Sequence, residues 1–110
     1  MRKFSRKTDQ RKAFLRNLAV SLVMKERIKT TESRAKALRS LVERLITKGK
    51  KGNLVSRRYV AKYLSAAAAK KVSKEIAPRF SDRQGGYVRI IRLGRRLSDG
   101  AGMVYIEFVK

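Results

Sequence analysis

The sequence predicts an α+β fold, in which about four helices pack on a small mixed sheet to form two layers. Apolar residues recur at three- and four-residue spacing through the first two thirds of the chain, which is the period of a helix buried on one face. Near the C-terminus the spacing changes to alternation, which is typical of strands. With 110 residues, of which 43% are hydrophobic, the chain is long enough for one domain with a small core, assigned to residues 8–110.

The first two helices can be placed by their capping residues. Thr8 or Asp9 can cap the first helix, because each offers a side-chain oxygen to the free amide groups at a helix start. Thr30 or Thr31 can cap the second, which is expected to end in a flexible basic turn at residues 48–52. The predicted buried positions are Phe14, Leu15, Leu18, Leu22 and Val23 in the first helix, and Ala35, Leu38, Leu41, Val42, Leu45 and Ile46 in the second.

Two further helices follow. Asn53 can cap the third, and Ser65 begins the fourth, because it precedes the strongly helix-forming alanine run at residues 66–69. Pro78 is expected to stop the fourth helix, since Ala77 before a proline is biased away from helical angles. The predicted apolar positions are Val55, Tyr59, Val60, Tyr63 and Leu64 in the third helix, and Val72 and Ile76 in the fourth.

The sheet is predicted from one short segment and a C-terminal hairpin. Residues 27–31 are β-prone and are interpreted as a strand with Ile28 facing inwards. Residues 87–93 and 103–108 are rich in β-branched and aromatic residues and predict the hairpin. Alternation is regular in the second of its strands but not in the first, where we expect a β-bulge near Ile90.

The charge of the chain is its dominant property. It has 30 Lys and Arg residues against 8 Asp and Glu residues, so the formal net charge is +22. Such a charge destabilises a compact fold through self-repulsion, and a bound polyanion relieves that repulsion. Nucleic acid is the usual polyanion, since each neutralised phosphate also releases condensed counterions. An anionic membrane surface is the other candidate.

Catalytic chemistry is not indicated. The chain has no Cys and no His, which excludes disulfides, thiolate catalysis and zinc sites of the usual ligand types. Its carboxylates are scattered beside basic residues, and no two are placed as a general acid–base pair. Gly85 and Gly86 lack the spacing of a phosphate-binding loop and lead into a strand. We therefore expect no enzyme, cofactor, metal site or small-molecule substrate.

Basic residues concentrate in two regions, one formed by the N-terminal segment with the first helix and the other by residues 79–96. Residues 1–7 show no periodicity and are expected to form a basic N-terminal arm that becomes ordered on a partner. From Arg79 to Arg96 arginine outnumbers lysine, and its planar fork suits phosphates and bases in structured RNA. The aromatic residues there, Phe80 and Tyr87, are expected in the core. The predicted RNA-binding residues are Arg2, Lys3, Arg6, Lys7, Arg11, Lys12, Arg16, Arg79, Arg83, Arg89, Arg92, Arg95 and Arg96.

Several ordered motifs resemble one known family. Residues 78–90 (PRFSDRQGGYVRI) resemble the signature of bacterial large-subunit ribosomal protein seventeen. Residues 11–19 (RKAFLRNLA) are similar to the family's first helix, residues 28–31 (IKTT) to its strand, and residues 103–108 (MVYIEF) to its last strand. The similarity runs in order along the chain from about Thr8 to its end.

The resemblance implies an α+β structural constituent of the large ribosomal subunit that supports translation. It implies binding to 23S-type ribosomal RNA (rRNA) near the peptide tunnel exit, beside other ribosomal proteins of the large subunit. Members of the family usually have a longer basic arm than residues 1–7, and a histidine is common where this chain has Gln10. Contacts made through the longer arm are therefore not carried over.

Two alternatives stay open at the level of the sequence. Net charge alone also suits a nucleoid-type DNA-binding protein, although no recognition helix or minor-groove wedge is evident. Basic amphipathic helices also suit a membrane surface, although the apolar stripes here are those that a globular core needs. No secretory signal or membrane-spanning stretch is recognisable, so we expect a cytoplasmic, ribosome-bound protein.

Overall fold

The structure is a computed structural model that describes the backbone of residues 2–109 and the side chains of residues 9–109. Helices and strands follow the order α1–β1–α2–α3–α4–α5–β2–β3. The helices are α1 (Arg2–Lys25), α2 (Glu32–Lys51), α3 (Leu54–Tyr63), α4 (Ala66–Lys71) and α5 (Ala77–Arg79), with a π-helical turn (Val72–Ile76) joining the last two. The strands are β1 (Arg27–Thr31), β2 (Val88–Arg95) and β3 (Gly102–Phe108). Because α4, the π-helical turn and α5 are continuous, the four predicted helices and the α+β class are confirmed.

Helix α1 begins earlier than predicted. It starts at Arg2, not at Thr8 or Asp9, so the expectation that residues 1–7 lack regular structure is wrong for the backbone of residues 2–7. No glycine or proline occurs before the end of α1, and Arg and Lys are good helix formers, so nothing in the sequence stops the helix from extending. Whether this segment acts as an arm towards a partner stays a prediction.

The other predicted helix starts are confirmed. The Asn53 side chain accepts a hydrogen bond of 2.8 Å from the Ser56 amide at the start of α3. The Ser65 hydroxyl accepts one of 3.2 Å from the Ala68 amide at the start of α4. Thr31 occupies the capping position of α2 in an extended conformation, but its side chain makes no capping hydrogen bond.

Helix α2 does not end in the predicted flexible turn. It continues to Lys51, and Gly52 then adopts the left-handed conformation that closes it (φ 68°). Gly49 lies inside the helix, where a Cβ atom would come within 2.9 Å of the Val72 side chain. Glycine therefore allows α2 to approach the fourth helix closely, and this tertiary contact favours continued helix despite the low helix propensity of glycine.

Pro78 does not stop the fourth helix where the sequence predicted. The helix widens into the π-helical turn just before it, with the Ala77 amide bonded to the Val72 carbonyl, and then runs through Arg79 to end at Phe80. Proline has no amide hydrogen, so it cannot continue the regular ladder from within a helix. The wider turn shifts the bonding pattern by one residue immediately before the position where the ladder loses a donor.

The sheet is antiparallel throughout, so the prediction of a mixed sheet is wrong. Its order is β1–β3–β2, and β3 pairs antiparallel with both neighbours. Strands β1 and β2 do run in the same direction, but β3 lies between them and no parallel pair is formed. The C-terminal hairpin is confirmed, and β1 pairs with the edge of β3 that faces away from β2.

The β-bulge lies nearer the hairpin loop than predicted. Ile90 pairs regularly with Ile106, and the register shifts only between Arg92 and Gly94, leaving Leu93 as the extra residue. Gly94 has a φ of 103°, an angle that a residue with a side chain rarely adopts. The glycine therefore fixes the position of the bulge.

The predicted core is largely confirmed. All six predicted positions of α2 are buried, and the inward face of β3 is buried at Val104, Ile106 and Phe108. Phe80 and Tyr87 are buried as expected, with ring centroids 5.2 Å apart. The core lies between α2 and one face of the sheet, with α1 and the fourth helix completing it.

Two predicted core residues lie on the surface instead. Phe14 is 43% exposed and Val55 is 76% exposed. Phe14 is positioned near the start of α2, where the Arg34 guanidinium lies 4.6 Å from the centre of its ring. Helical spacing identified the correct face of α1. The apolar stripe on that face continues to Phe14, however, where the core no longer covers the helix.

Candidate nucleic-acid interface

The antiparallel register separates the molecule into two ends that carry different groups of basic residues. At one end, Arg27 and Arg89 flank Glu107 across the three strands. We call this end the turn end, after the turn at Glu26 that joins α1 to β1. At the other, Thr31 pairs with Met103, and Met103 pairs with Gly94. This hairpin end holds the first turn of α2 and the loop between β2 and β3.

Glu32 joins the first turn of α2 to the hairpin. It accepts a hydrogen bond of 3.4 Å from Arg92 and lies 3.5 Å from Lys36. Gly102 packs directly beside it, since a Cβ atom there would lie 3.2 Å from a Glu32 oxygen. Arg92 is nevertheless 82% exposed, so most of its donors remain available to a partner.

Helix α1 reaches the hairpin end through Phe14. The stacking of Arg34 on Phe14 places this part of α1 against the first turn of α2. An open groove of about 670 Å³ lies between the two helices. Arg11 and Arg34 line it together with the exposed Phe14 ring, which adds an aromatic surface to the two cations. Cation and aromatic surfaces combined in this way suit phosphate and base contacts.

The hairpin loop is held in one conformation by its own hydrogen bonds. The Arg96 amide donates to the Ala101 carbonyl and the Gly100 amide to the Arg96 carbonyl, each at 2.8 Å. Asp99 accepts two bonds from the Arg96 guanidinium, at 2.9 and 2.6 Å, and a third of 3.1 Å from the Ala101 amide. Arg95 donates to the Gly100 carbonyl at 3.1 Å. The Arg96 guanidinium, helped by the Ala101 amide, lowers the pKa of Asp99 to about 2.

At the turn end, Arg27, Arg79 and Arg89 each have a carboxylate partner within the molecule. Glu26 bonds Arg79 and lies 3.2 Å from Lys71. The Arg79 hydrogen bond, followed by that of Lys71, holds the pKa of Glu26 below its usual value despite partial desolvation. Glu107 lies 3.6 Å from Arg89 and 3.9 Å from Arg27. These arginines contribute to the fold as well as to the surface charge.

The glycine-containing segment before β2 is anchored to α2 by Glu43. Its carboxylate accepts hydrogen bonds from the Tyr87 amide, at 3.0 and 3.1 Å, and from the Val88 amide at 3.3 Å. Lys50 donates to the Tyr87 hydroxyl at 3.0 Å and also bonds the Arg83 carbonyl. The Lys50 hydrogen bond lowers the pKa of Tyr87. The most recognisable motif of the sequence therefore has a structural role at its centre.

The structure does not bring the predicted RNA-binding residues into one patch. Arg11, Arg92, Arg95 and Arg96 share the hairpin end, whereas Arg79 and Arg89 lie at the turn end. The Arg83 guanidinium bonds the Gly86 carbonyl at 3.2 Å, and Arg16 lies 6.0 Å from the Tyr63 ring on α3. Each of these residues is exposed, as is Lys12. The side chains of Arg2, Lys3, Arg6 and Lys7 lie outside the described residues.

Several basic residues of the surface were missed. Arg27 lies 3.7 Å from the Tyr105 ring centre on the outer face of the sheet, and Lys29 shares that face. Alternation within β1 could have predicted both, because they flank the inward Ile28. Arg34 was missed because its contact with Phe14 is tertiary. Four more cations surround a groove of about 470 Å³ among α2, α3 and α4, namely Lys48, Arg57, Lys70 and Lys74.

Among residues 2–109, no helix combines the length and the apolar character needed to cross a membrane. Over the same described residues, no group of three or more Asp and Glu side chains is placed to hold a metal ion.

Comparisons with known proteins agree on one family. A profile described as Ribosomal protein L17 matches residues 14–109. Proteins described as "Large ribosomal subunit protein bL17" are similar over almost the whole chain. The one from Staphylococcus epidermidis is 54% identical, covering 98% of this chain and 98% of the relative. Those from Staphylococcus haemolyticus and Staphylococcus aureus are each 53% identical, covering 98% of this chain and 97% and 98% of the relative. The resemblance found in the motifs is confirmed: the chain belongs to the ribosomal protein L17 family.

Proposed function

We propose that this protein is a non-catalytic constituent of the large ribosomal subunit that binds and stabilises folded rRNA. Family membership supports it, because the similar proteins are described as large ribosomal subunit proteins. The observation that carries the RNA part is the charge balance. Eight carboxylates cannot neutralise 30 cations, and the described carboxylates of the hairpin end, Glu32 and Asp99, are already paired.

The hairpin end is proposed as the principal RNA-facing surface. Six cations among its described side chains accompany Glu32 and Asp99, and the Phe14 ring is 43% exposed under one of them, Arg34. Phosphates would neutralise this excess and release counterions, which is the main source of affinity for a polyanion. The six cations are Arg11, Arg34, Lys36, Arg92, Arg95 and Arg96.

The finer assignments rest on the family resemblance. We propose 23S-type rRNA as the partner, a position near the peptide tunnel exit, contacts with neighbouring large-subunit proteins, and a cytoplasmic ribosome as the location. The N-terminal basic residues Arg2, Lys3, Arg6 and Lys7 are proposed to extend the RNA-binding surface. A helix that begins with cations has an unfavourable dipole interaction, which a bound phosphate would reverse.

The experiment is sedimentation of ribosomal subunits through sucrose gradients of increasing salt. We expect the protein to sediment with large subunits at low salt and to be released as salt rises. On naked rRNA, a protein that makes about 6–10 phosphate contacts would lose a factor of about 10³–10⁵ in affinity as the salt concentration rises from 50 to 200 mM. Sedimentation only in the free pool at low salt would contradict the proposal.

Competition binding separates rRNA from the DNA alternative. The full chain, bound to a labelled large-subunit rRNA transcript, is challenged with unlabelled rRNA or with duplex DNA of equal phosphate concentration. We expect rRNA to compete better, since folded RNA offers shaped and unstacked elements that a uniform duplex lacks. Preferential displacement by duplex DNA would instead favour a nucleoid-type function.

A further inference from the structure

Leu97, at the tip of the hairpin, is the feature that charge alone does not explain. Its side chain is fully exposed, at 105% of the reference accessibility. A single exposed leucine is ordinary on a protein surface. This one stands on a loop whose neighbours are fixed by the hydrogen bonds of Arg96 and Asp99.

The tip is preorganised for contact. The crossing bonds between Arg96, Gly100 and Ala101 close the loop, and Gly100 takes the positive φ (71°) that the turn requires. A loop that is already ordered loses little conformational entropy on binding, so burial of its apolar tip contributes more fully to affinity. The loop therefore presents Leu97 as a rigid apolar projection.

The charge around Leu97 indicates the kind of surface that receives it. Arg95, two residues before the tip, is exposed and has no carboxylate partner among the described side chains, and Arg92 in β2 is 82% exposed although it meets Glu32. Arg95 uses one donor on the Gly100 carbonyl, and its remaining donors can reach a phosphate. An apolar projection flanked by arginines complements a surface that has sugars and base edges between two rows of phosphates.

We propose that the hairpin loop docks into the minor groove of an rRNA helix, with Leu97 packed against riboses and base edges and Arg95 bound to a flanking phosphate. The minor groove of A-form RNA is wide and shallow and displays these sugar and base surfaces, whereas its major groove is too narrow for side chains. This inference rests on the proposed function, because it specifies how the hairpin end would bind rRNA.

The test measures binding of the full chain to a large-subunit rRNA transcript at several salt concentrations. Leu97→Ala should weaken binding by about tenfold, because part of the buried apolar area is lost, without changing the salt dependence. Arg95→Gln should lower the slope of log K against log salt by about 1. Leu54→Ala is the matched control, since Leu54 is 61% exposed on α3 and should bind as the unchanged protein does.

Hydroxyl-radical cleavage of the RNA gives a second readout, since the radical attacks riboses that the minor groove exposes. The unchanged protein should protect one short cluster of riboses that Leu97→Ala leaves cleaved and that Leu54→Ala still protects. Unchanged affinity and protection for Leu97→Ala would overturn the inference. If Leu97→Ala binds the isolated transcript normally and is lost only from assembled subunits, the inference is wrong, and Leu97 packs instead in a pocket of a neighbouring protein. If the unchanged protein itself fails to bind rRNA, the proposed function fails with it.

Discussion

The two ends of the sheet hold their arginines in different surroundings. At the turn end, Arg79 and Arg89 bond the carboxylates of Glu26 and Glu107. At the hairpin end, the one bond that Arg95 makes among the described residues is to a backbone carbonyl, and Arg92 is 82% exposed while it shares Glu32 with Lys36. An arginine in a strongly basic chain is therefore not automatically a nucleic-acid contact. Arg92 also meets a carboxylate, so the two ends differ in exposure: the Arg92 side chain is 82% exposed, against 38% for Arg79 and 55% for Arg89.

The largest expected difference between the ends is in RNA affinity. Arg92→Gln with Arg95→Gln should weaken binding to the rRNA transcript by about a hundredfold or more, and lower the slope of log K against log salt by about 2. Arg79→Gln with Arg89→Gln removes the same charge but should lower the slope by less than about 1, because each of those guanidinium groups meets a carboxylate and is less exposed than Arg92. Equal slopes for the two double variants would remove the distinction between the ends.

The second prediction concerns stability at the segment that leads into the turn end. Glu43→Ala leaves the Tyr87 and Val88 amides without their side-chain acceptor. We expect the free energy of unfolding in urea to fall by about 2 kcal/mol, because buried or partly buried donors then lack partners. Arg44→Ala, the adjacent exposed position of α2, is the control and should change it by less than about 0.5 kcal/mol. Equal effects would show that the Glu43 contacts do not anchor the segment.

The smallest expected effect comes from Glu26, and it depends on pH. Glu26→Gln should lower stability by up to about 1 kcal/mol at neutral pH, since the ion pairs with Arg79 and Lys71 are partly exposed. The folded-state pKa of Glu26 is lowered, so its contribution is present above the ordinary value of 4.5 and is lost as pH falls through the folded pKa. The substitution keeps a side chain at a φ of 66°, so backbone strain is unchanged.

Urea titrations of the unchanged protein and Glu26→Gln between pH 3 and pH 7 check this prediction. The stability difference should be constant at the upper end and should shrink below about pH 4.5. A difference that grows towards low pH would contradict the assigned ion pairs.

Much of the fold could be predicted because local rules apply to it. The six core positions of α2 follow from helical spacing, and Asn53 and Ser65 act as caps because their side chains reach nearby amides. The errors arose where distant parts of the chain meet. Gly49 stays helical because it packs against Val72, and β3 inserts between two strands that are remote in sequence.

The candidate site was predicted by residue type but not by arrangement. The described arginines are exposed, and RNA contact by them stays a prediction; their division between the two ends depends on strand register and on which carboxylate each one meets. Arg34 and Leu97 carry no sequence pattern that distinguishes them from other surface residues. Their roles depend on a ring from α1 and on a loop closed by Asp99, respectively.

The sequence by itself determined most of the secondary structure, most of the core, the excess of positive charge and the family. These follow from periodicity, capping, net charge and ordered motifs, all of which act over a few residues or over the whole composition. Only the tertiary structure decided which arginines are internally paired and which remain available. The physical reason is that an ion pair depends on distances of a few ångströms between residues such as Glu26 and Arg79, which the fold alone brings together.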